Sequence, residues 1–112
     1  MATRAPIEVE VWAWTESDPA RMLTGVTVEL GDHGAVLRLP KLCDAAERLT
    51  LQITLPDRPV LTEATVISRS NGSLVTVRFV GLGSYERFRI LDFLEEQSQA
   101  RLPGGAARRD NP

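Results

Sequence analysis

The sequence has one cysteine and one histidine in 112 residues, and each scarcity removes a class of chemistry. Cys43 alone can form no intrachain disulfide and no cysteine-rich metal site, so a reduced compartment is the default. Cys43 and His33 are the sole candidates for a nucleophile and base of the thiol–imidazole kind, yet neither stands near a glycine-framed nucleophile elbow. Asp32 beside His33 supplies two adjacent groups in a tight turn, which do not make a metal site by themselves. Neither catalytic residues nor metal ligands are expected, and the chain does not read as an enzyme. Cys43 reads instead as a small buried apolar residue and His33 as an exposed turn residue.

Long apolar runs are also missing. None approaches the roughly 18 residues that a membrane span needs, and "MATRAPIEVEV" has no apolar core of signal-peptide length. The expectation is a cytoplasmic protein, or the cytoplasmic part of a larger one, without direct membrane insertion. No repeat of useful length is present. A strong charge is lacking too: the formal net charge of -2 gives no bulk attraction to DNA or anionic lipid, so an anionic ligand would have to be met by a few placed arginines.

What is present is ordinary for a globular domain, with 43% hydrophobic and 25% charged residues. A chain of this length buries roughly two thirds of its unfolded surface and folds as one domain. That domain is expected over residues 1–102. The tail 103–112, with no apolar side chain larger than alanine, reads as disordered.

Period-two alternation dominates the chain. Ile7, Val9, Val11 and Ala13 share one face of a first strand, with Glu8, Glu10, Trp12 and Trp14 on the other. The two tryptophans are expected to pack under a C-terminal helix, or else to form a protein contact. A polar turn over Thr15 to Arg21, marked by Asp18-Pro19, leads to a second strand through Val26, Val28 and Leu30. "ELGDHG" makes a hairpin with Asp32 and His33 at its exposed corner, and "AVLRL" is a third strand stopped by Pro40. After a possible helical turn at Lys41 to Arg48, Leu49 to Leu55 alternate as a fourth strand. Val60 to Ser68 and Leu74 to Val80 are joined across Asn71-Gly72, a strong hairpin signal. Beyond Gly83 the period becomes helical: Ser84 is a candidate cap, Glu86 suits the positive end of the dipole, and Phe88, Leu91 and Leu94, flanked by Ile90 and Phe93, form an apolar face to about Gln99. "GLGSYE" lacks the order and setting of a phosphate-binding glycine loop and reads as a strand-to-helix link. The pattern is mainly β: a six-stranded antiparallel barrel closed by a C-terminal α-helix.

Three stretches in this order resemble the PilZ family, bacterial domains that sense cyclic di-GMP. "VTVELGDHGAVLRL" is similar to the family pattern [D/N]xSxxG followed by an apolar strand. "VRFVGLGSYERFRILDFL" looks like its last barrel strand, link and closing helix, and "RAPIEVEV" resembles its start. The resemblance covers Arg4 to about Leu94. It implies a PilZ-type signalling domain that binds cyclic di-GMP and relays it to an output such as motility or exopolysaccharide synthesis, through a protein partner or fused output domain. By position, Arg4 corresponds to the second arginine of an RxxxR segment, Glu29 to the acid or amide, Gly31 to the serine and Gly34 to the glycine. In such a site arginine forks grip phosphates and guanine acceptor edges. The sequence departs from the pattern at Gly31, which has no hydroxyl, and the first arginine of RxxxR would fall before Met1, so that it is either absent or belongs to a longer protein of which this chain is a piece. Each lost charge-assisted hydrogen bond removes about 1.5 to 3 kcal/mol. The alternative is therefore a divergent PilZ domain that does not bind the nucleotide and acts as a protein-interaction adaptor.

Overall fold

The computed structural model describes residues 4–16, 18–39, 47–70 and 73–100. Seven strands precede one helix: β1 (Arg4–Ala5), β2 (Glu10–Thr15), β3 (Asp18–Gly31), β4 (Gly34–Arg38), β5 (Arg48–Ile53), β6 (Val60–Ser70), β7 (Leu74–Val80) and α1 (Ser84–Ala100). All pairings are antiparallel. The order β3-β2-β5-β6-β7-β4 closes because β4 also pairs with β3. Six strands thus form the expected barrel, and β1 lies outside it along the far end of β3.

Closure depends on the length of β3. Its first part, through Val26, pairs with β2, and from Val26 onward it pairs with β4. A register shift between Thr27 and Glu29 supplies the extra twist that a bulge gives a strand bending around a barrel. The polar segment Thr15 to Arg21 is not the long turn its composition predicts. Thr15 pairs with Asp18 and accepts a hydrogen bond from the Asp18 N–H at 3.1 Å, so the strand resumes at Asp18. Pro19 fits there because that part of β3 pairs with β2 alone, leaving one edge without need of a donor.

The period-two reading of the core holds outside β3. In β3, Val26 and Val28 are only half-buried while Leu23, Thr27 and Leu30 are buried, because the bulge between Thr27 and Glu29 shifts the inward face. Ile7, Val9, Val11, Ala13, Leu49, Leu51, Ile53, Val75, Val77 and Phe79 are all buried inside. Trp12 and Trp14 point to the outer surface and are half-buried there, with Gln52 and Thr50 of β5 on one side and Thr24 and Met22 of β3 on the other. Their face is the outer one, whereas α1 packs Ile90, Phe93 and Leu94 into the core, so the expected position of the tryptophans under the helix is not found among the described residues.

The helix differs from its sequence reading in two respects. The Arg87 N–H donates to the Gly83 carbonyl at 2.9 Å, which makes Gly83 the capping position and puts Ser84 in the first turn. Ile90, Phe93 and Leu94 are buried as expected, but Phe88 is exposed and Arg89 is buried. Phe88 lies two positions, about 200° of helical rotation, from Ile90; once Ile90 enters the core, Phe88 must face away and Arg89 must face in. Gly81, with φ 74°, makes the left-handed turn out of β7 that leads to this helix.

Cys43, the possible helical turn beginning at Lys41, Asn71-Gly72 and the tail 103–112 lie outside the described residues.

Candidate functional site

The end of the barrel where β1 meets β3 is built by the N-terminal segment. Ala5 pairs with Leu30 and Arg4 with Gly31. Between β1 and β2 the chain is held by Thr27, a buried residue whose Oγ1 accepts from the Val9 N–H at 2.9 Å and whose hydroxyl donates to the Ile7 carbonyl. The Thr27 N–H in turn donates to the Val9 carbonyl at 2.8 Å. This clasp fixes where Arg4 emerges: its Nη1 donates to Glu29 Oε1 at 3.3 Å. The two side chains are 39% and 46% exposed, so a ligand can reach either one, and the pair contributes little in water.

Three of the four residues singled out by sequence therefore converge: Arg4, Glu29 and Gly31. Gly34 lies across the turn at the head of β4, opposite Arg78 of β7. Its lack of a side chain has a separate structural cause. A Cβ at position 34 would stand 2.3 Å from the Val77 carbonyl oxygen, so the close approach of β4 and β7 requires glycine.

Two cations flank this area. Arg38 shares the outer face of β4 with Val36, the residue opposite Glu29, and Arg78 stands beside Gly34. Neither meets a hydrogen-bond or ion-pair partner among the described residues. Arg38 follows from strand alternation, whereas Arg78 becomes a neighbour only through the non-local β4–β7 pairing. Arg21 is in the part of β3 paired with β2, remote from Arg4. The turn corner departs from its expected form in part: His33 is exposed, but Asp32 is buried, with its Oδ1 3.0 Å from His33 Nδ1. The Asp32 carbonyl also accepts from Arg87 Nε of α1 at 3.4 Å, joining the helix to the turn.

A second concavity, of about 310 Å³, lies between α1 and the β5–β6 turn, with Leu55, Phe93, Tyr85, Phe88, Asp92 and Glu96 among its lining residues. Its inner wall is organised by Arg89, 8% exposed. The guanidinium donates to Asp57 Oδ1 at 2.7 Å, to the Arg58 carbonyl and to the Pro59 carbonyl at 3.4 Å. The Arg89 hydrogen bond holds the Asp57 carboxyl below the usual carboxylate range. Among the described residues, no group of three or more His, Cys, Asp or Glu side chains is arranged to hold a metal ion, and no helix is long and apolar enough to cross a membrane.

No protein-family model matches the chain, and no curated protein is significantly similar in sequence. Solved structures do match. The PilZ domain of CeSA from a cellulose-synthesizing bacterium aligns with a TM-score of 0.66 at 17% identity over 86% of this chain and 98% of that one. MotI/DgrA, the inhibitor of motility of Bacillus subtilis, aligns at 0.75 and 18% over 91% of this chain, which spans 52% of MotI. The PilZ domain of Escherichia coli YcgR, with cyclic di-GMP, aligns at 0.69 and 12% over 90% and 93% of the two chains. With its closed six-stranded barrel, outer N-terminal strand and single closing helix, the chain has the fold of a PilZ domain.

Proposed function

We infer that the chain is a PilZ-type regulatory domain of bacterial second-messenger signalling, working in the cytoplasm, and that its ligand is cyclic di-GMP. The observation that carries this reading is the meeting of Arg4 and Glu29, both accessible, beside the buried Gly31, in the fold that the YcgR PilZ domain presents with cyclic di-GMP. Arg4 offers a planar fork to a phosphate or a guanine acceptor edge. Glu29 accepts from guanine N–H groups; Gly31 and Gly34 are themselves buried, so the contacts to the ligand come from Arg4 and Glu29. Binding would exchange the Arg4–Glu29 pair for contacts to the nucleotide, which costs little because that pair is solvent-exposed. The output follows from movement of the N-terminal segment, through a protein partner or a fused domain acting on motility or exopolysaccharide synthesis.

Calorimetric titration with cyclic di-GMP tests this. Micromolar or tighter binding that is lost in Arg4→Ala and weakened in Glu29→Ala is the expected result. Saturable binding indifferent to both substitutions would place the ligand elsewhere.

One pair of observations favours a second reading, a domain that recognises protein without nucleotide. Arg4 is already engaged by Glu29, and position 31 has no hydroxyl to offer. An absence of binding heat at high ligand concentration would select this adaptor reading.

A further inference from the structure

The outer face of α1 reverses the pattern that ordinarily makes a helix soluble. Tyr85 and Phe88 are 56% and 62% exposed, while Arg89 occupies an inward position. Tyr85, Phe88, Asp92 and Glu96 follow one another at spacings of three and four, so they form a single stripe along the helix. All four line the concavity against the β5–β6 turn, whose floor includes Leu55 and Phe93. Its aromatic lip is held in place, because Arg58 Nη2 donates to the Tyr85 hydroxyl at 2.8 Å and the Arg58 guanidinium carbon stands 5.8 Å from the ring centre.

The charges along the stripe are polarised. Arg58 marks the Tyr85 end, and Asp92 and Glu96 mark the other. Neither acid meets a cation among the described residues, and Glu95 adds a third carboxylate nearby. They lie in the half of the helix where the dipole favours positive charge, and the described last turn contains no basic residue. Asp57, the remaining acid of the concavity, is already paired with Arg89. The stripe therefore combines exposed aromatic area with unmatched negative charge. Such a combination is unfavourable in isolation, and a partner with an apolar anchor and adjacent cations would relieve both parts of it.

We propose that this groove is a docking site for a cationic amphipathic segment of a partner protein. An apolar side chain of the partner enters between Phe88, Tyr85 and the β5–β6 turn, and Lys or Arg residues one and two helical turns further on meet Asp92 and Glu96. Arg58 sets the direction, since it disfavours the reverse placement of the basic end. The surface is separate from the β1–β3 edge, and the inference does not depend on nucleotide binding.

The test uses fluorescein-labelled helical peptides with a Leu-Phe anchor and lysines four and eight residues beyond it, beside a series in which the lysines are moved or replaced by glutamate. Saturable anisotropy changes are expected for the lysine peptide, weakening as salt rises from about 0.05 to 0.5 M. Phe88→Ser and the pair Asp92→Lys with Glu96→Lys should each reduce its affinity at least about tenfold. Because these side chains are outside the core, thermal melting should show both variants folded. Amide chemical shifts should move at Tyr85 to Glu96 and at Asp57, and remain unchanged around Trp12 and Trp14. The proposal is overturned if no peptide of the series saturates, if the glutamate peptide binds as well as the lysine one, or if shifts centre on the tryptophan face. Self-association of the protein that Phe88→Ser abolishes would overturn it in favour of a second copy of this chain as occupant.

Discussion

At the scale of single residues, glycines with the same appearance in sequence have different causes. Gly34 is explained by packing alone: adding one methyl puts carbon 2.3 Å from the Val77 carbonyl oxygen, and Gly34→Ala should destabilise the barrel by about 1–3 kcal/mol, measured as a lower urea midpoint at unchanged slope. Gly31 is another matter. It is buried, but its backbone is not in the left-handed region, since Gly81 is the described glycine with positive φ, so φ does not bar a side chain there. If cyclic di-GMP sits on this edge, Gly31→Ser restores a hydroxyl worth about 0.5–1.5 kcal/mol, and calorimetry should read a few-fold to tenfold tighter binding. Thr27 had no prominence in the sequence, where it is one more residue in a β-rich run. Its role depends on carbonyl and amide groups about 20 residues upstream that only the fold brings near. Thr27→Val keeps the shape and removes both hydrogen bonds. It should cost about 1–3 kcal/mol and speed hydrogen exchange at the Val9 amide more than at Val77.

At the scale of elements, most strands were legible because a half-buried strand displays its inward face at every second position; β3 departs from the rule where the bulge between Thr27 and Glu29 shifts its inward face. The limits of β3 were less legible. Thr15 to Arg21 are polar because that half of the strand is an outer edge, and polarity there looks like a loop. The helix was legible in position but not in rotation: Phe88 and Arg89 carry hydropathies opposite to their burial. Arg89 is tolerated inside because the β5–β6 turn surrounds it with acceptors. Asp57 gives this arrangement a pH dependence. Its folded pKa is depressed, chiefly by the hydrogen bond from Arg89, so the contribution is complete above the ordinary carboxylate value of 3.8 and is lost as pH falls through the lower folded value. Acid titration of stability should therefore show a steeper loss below about pH 4 in the wild type than in Asp57→Asn, with the two proteins converging at the acid end. Equal slopes would mean that the pair makes no net contribution.

At the scale of the whole molecule, β1 is the one described strand outside the closed barrel, so the proposed binding edge is also the part with least support from the sheet. Segments of this kind open at free energies well below that of global unfolding. The sequence led to Arg4 and Glu29 through a resemblance. It could not reveal that they meet each other, because that contact depends on the antiparallel return of the N-terminal segment along β3. The meeting sets up a competition: a ligand at the proposed edge would have to displace this solvent-exposed ion pair. A ligand bound only to the folded protein raises stability by about 2.7 kcal/mol at a hundred times its dissociation constant. For a domain of this size that corresponds to a melting temperature higher by about 10 °C or more. Cyclic di-GMP should produce such a shift in the wild type and none in Arg4→Ala, while GTP at equal concentration leaves both unchanged. Because Arg4 and Glu29 are each more than a third exposed, the substitution itself should move the unliganded melting temperature by little, which separates loss of binding from loss of fold. A wild type whose melting is indifferent to saturating cyclic di-GMP would exclude the receptor reading and leave the adaptor.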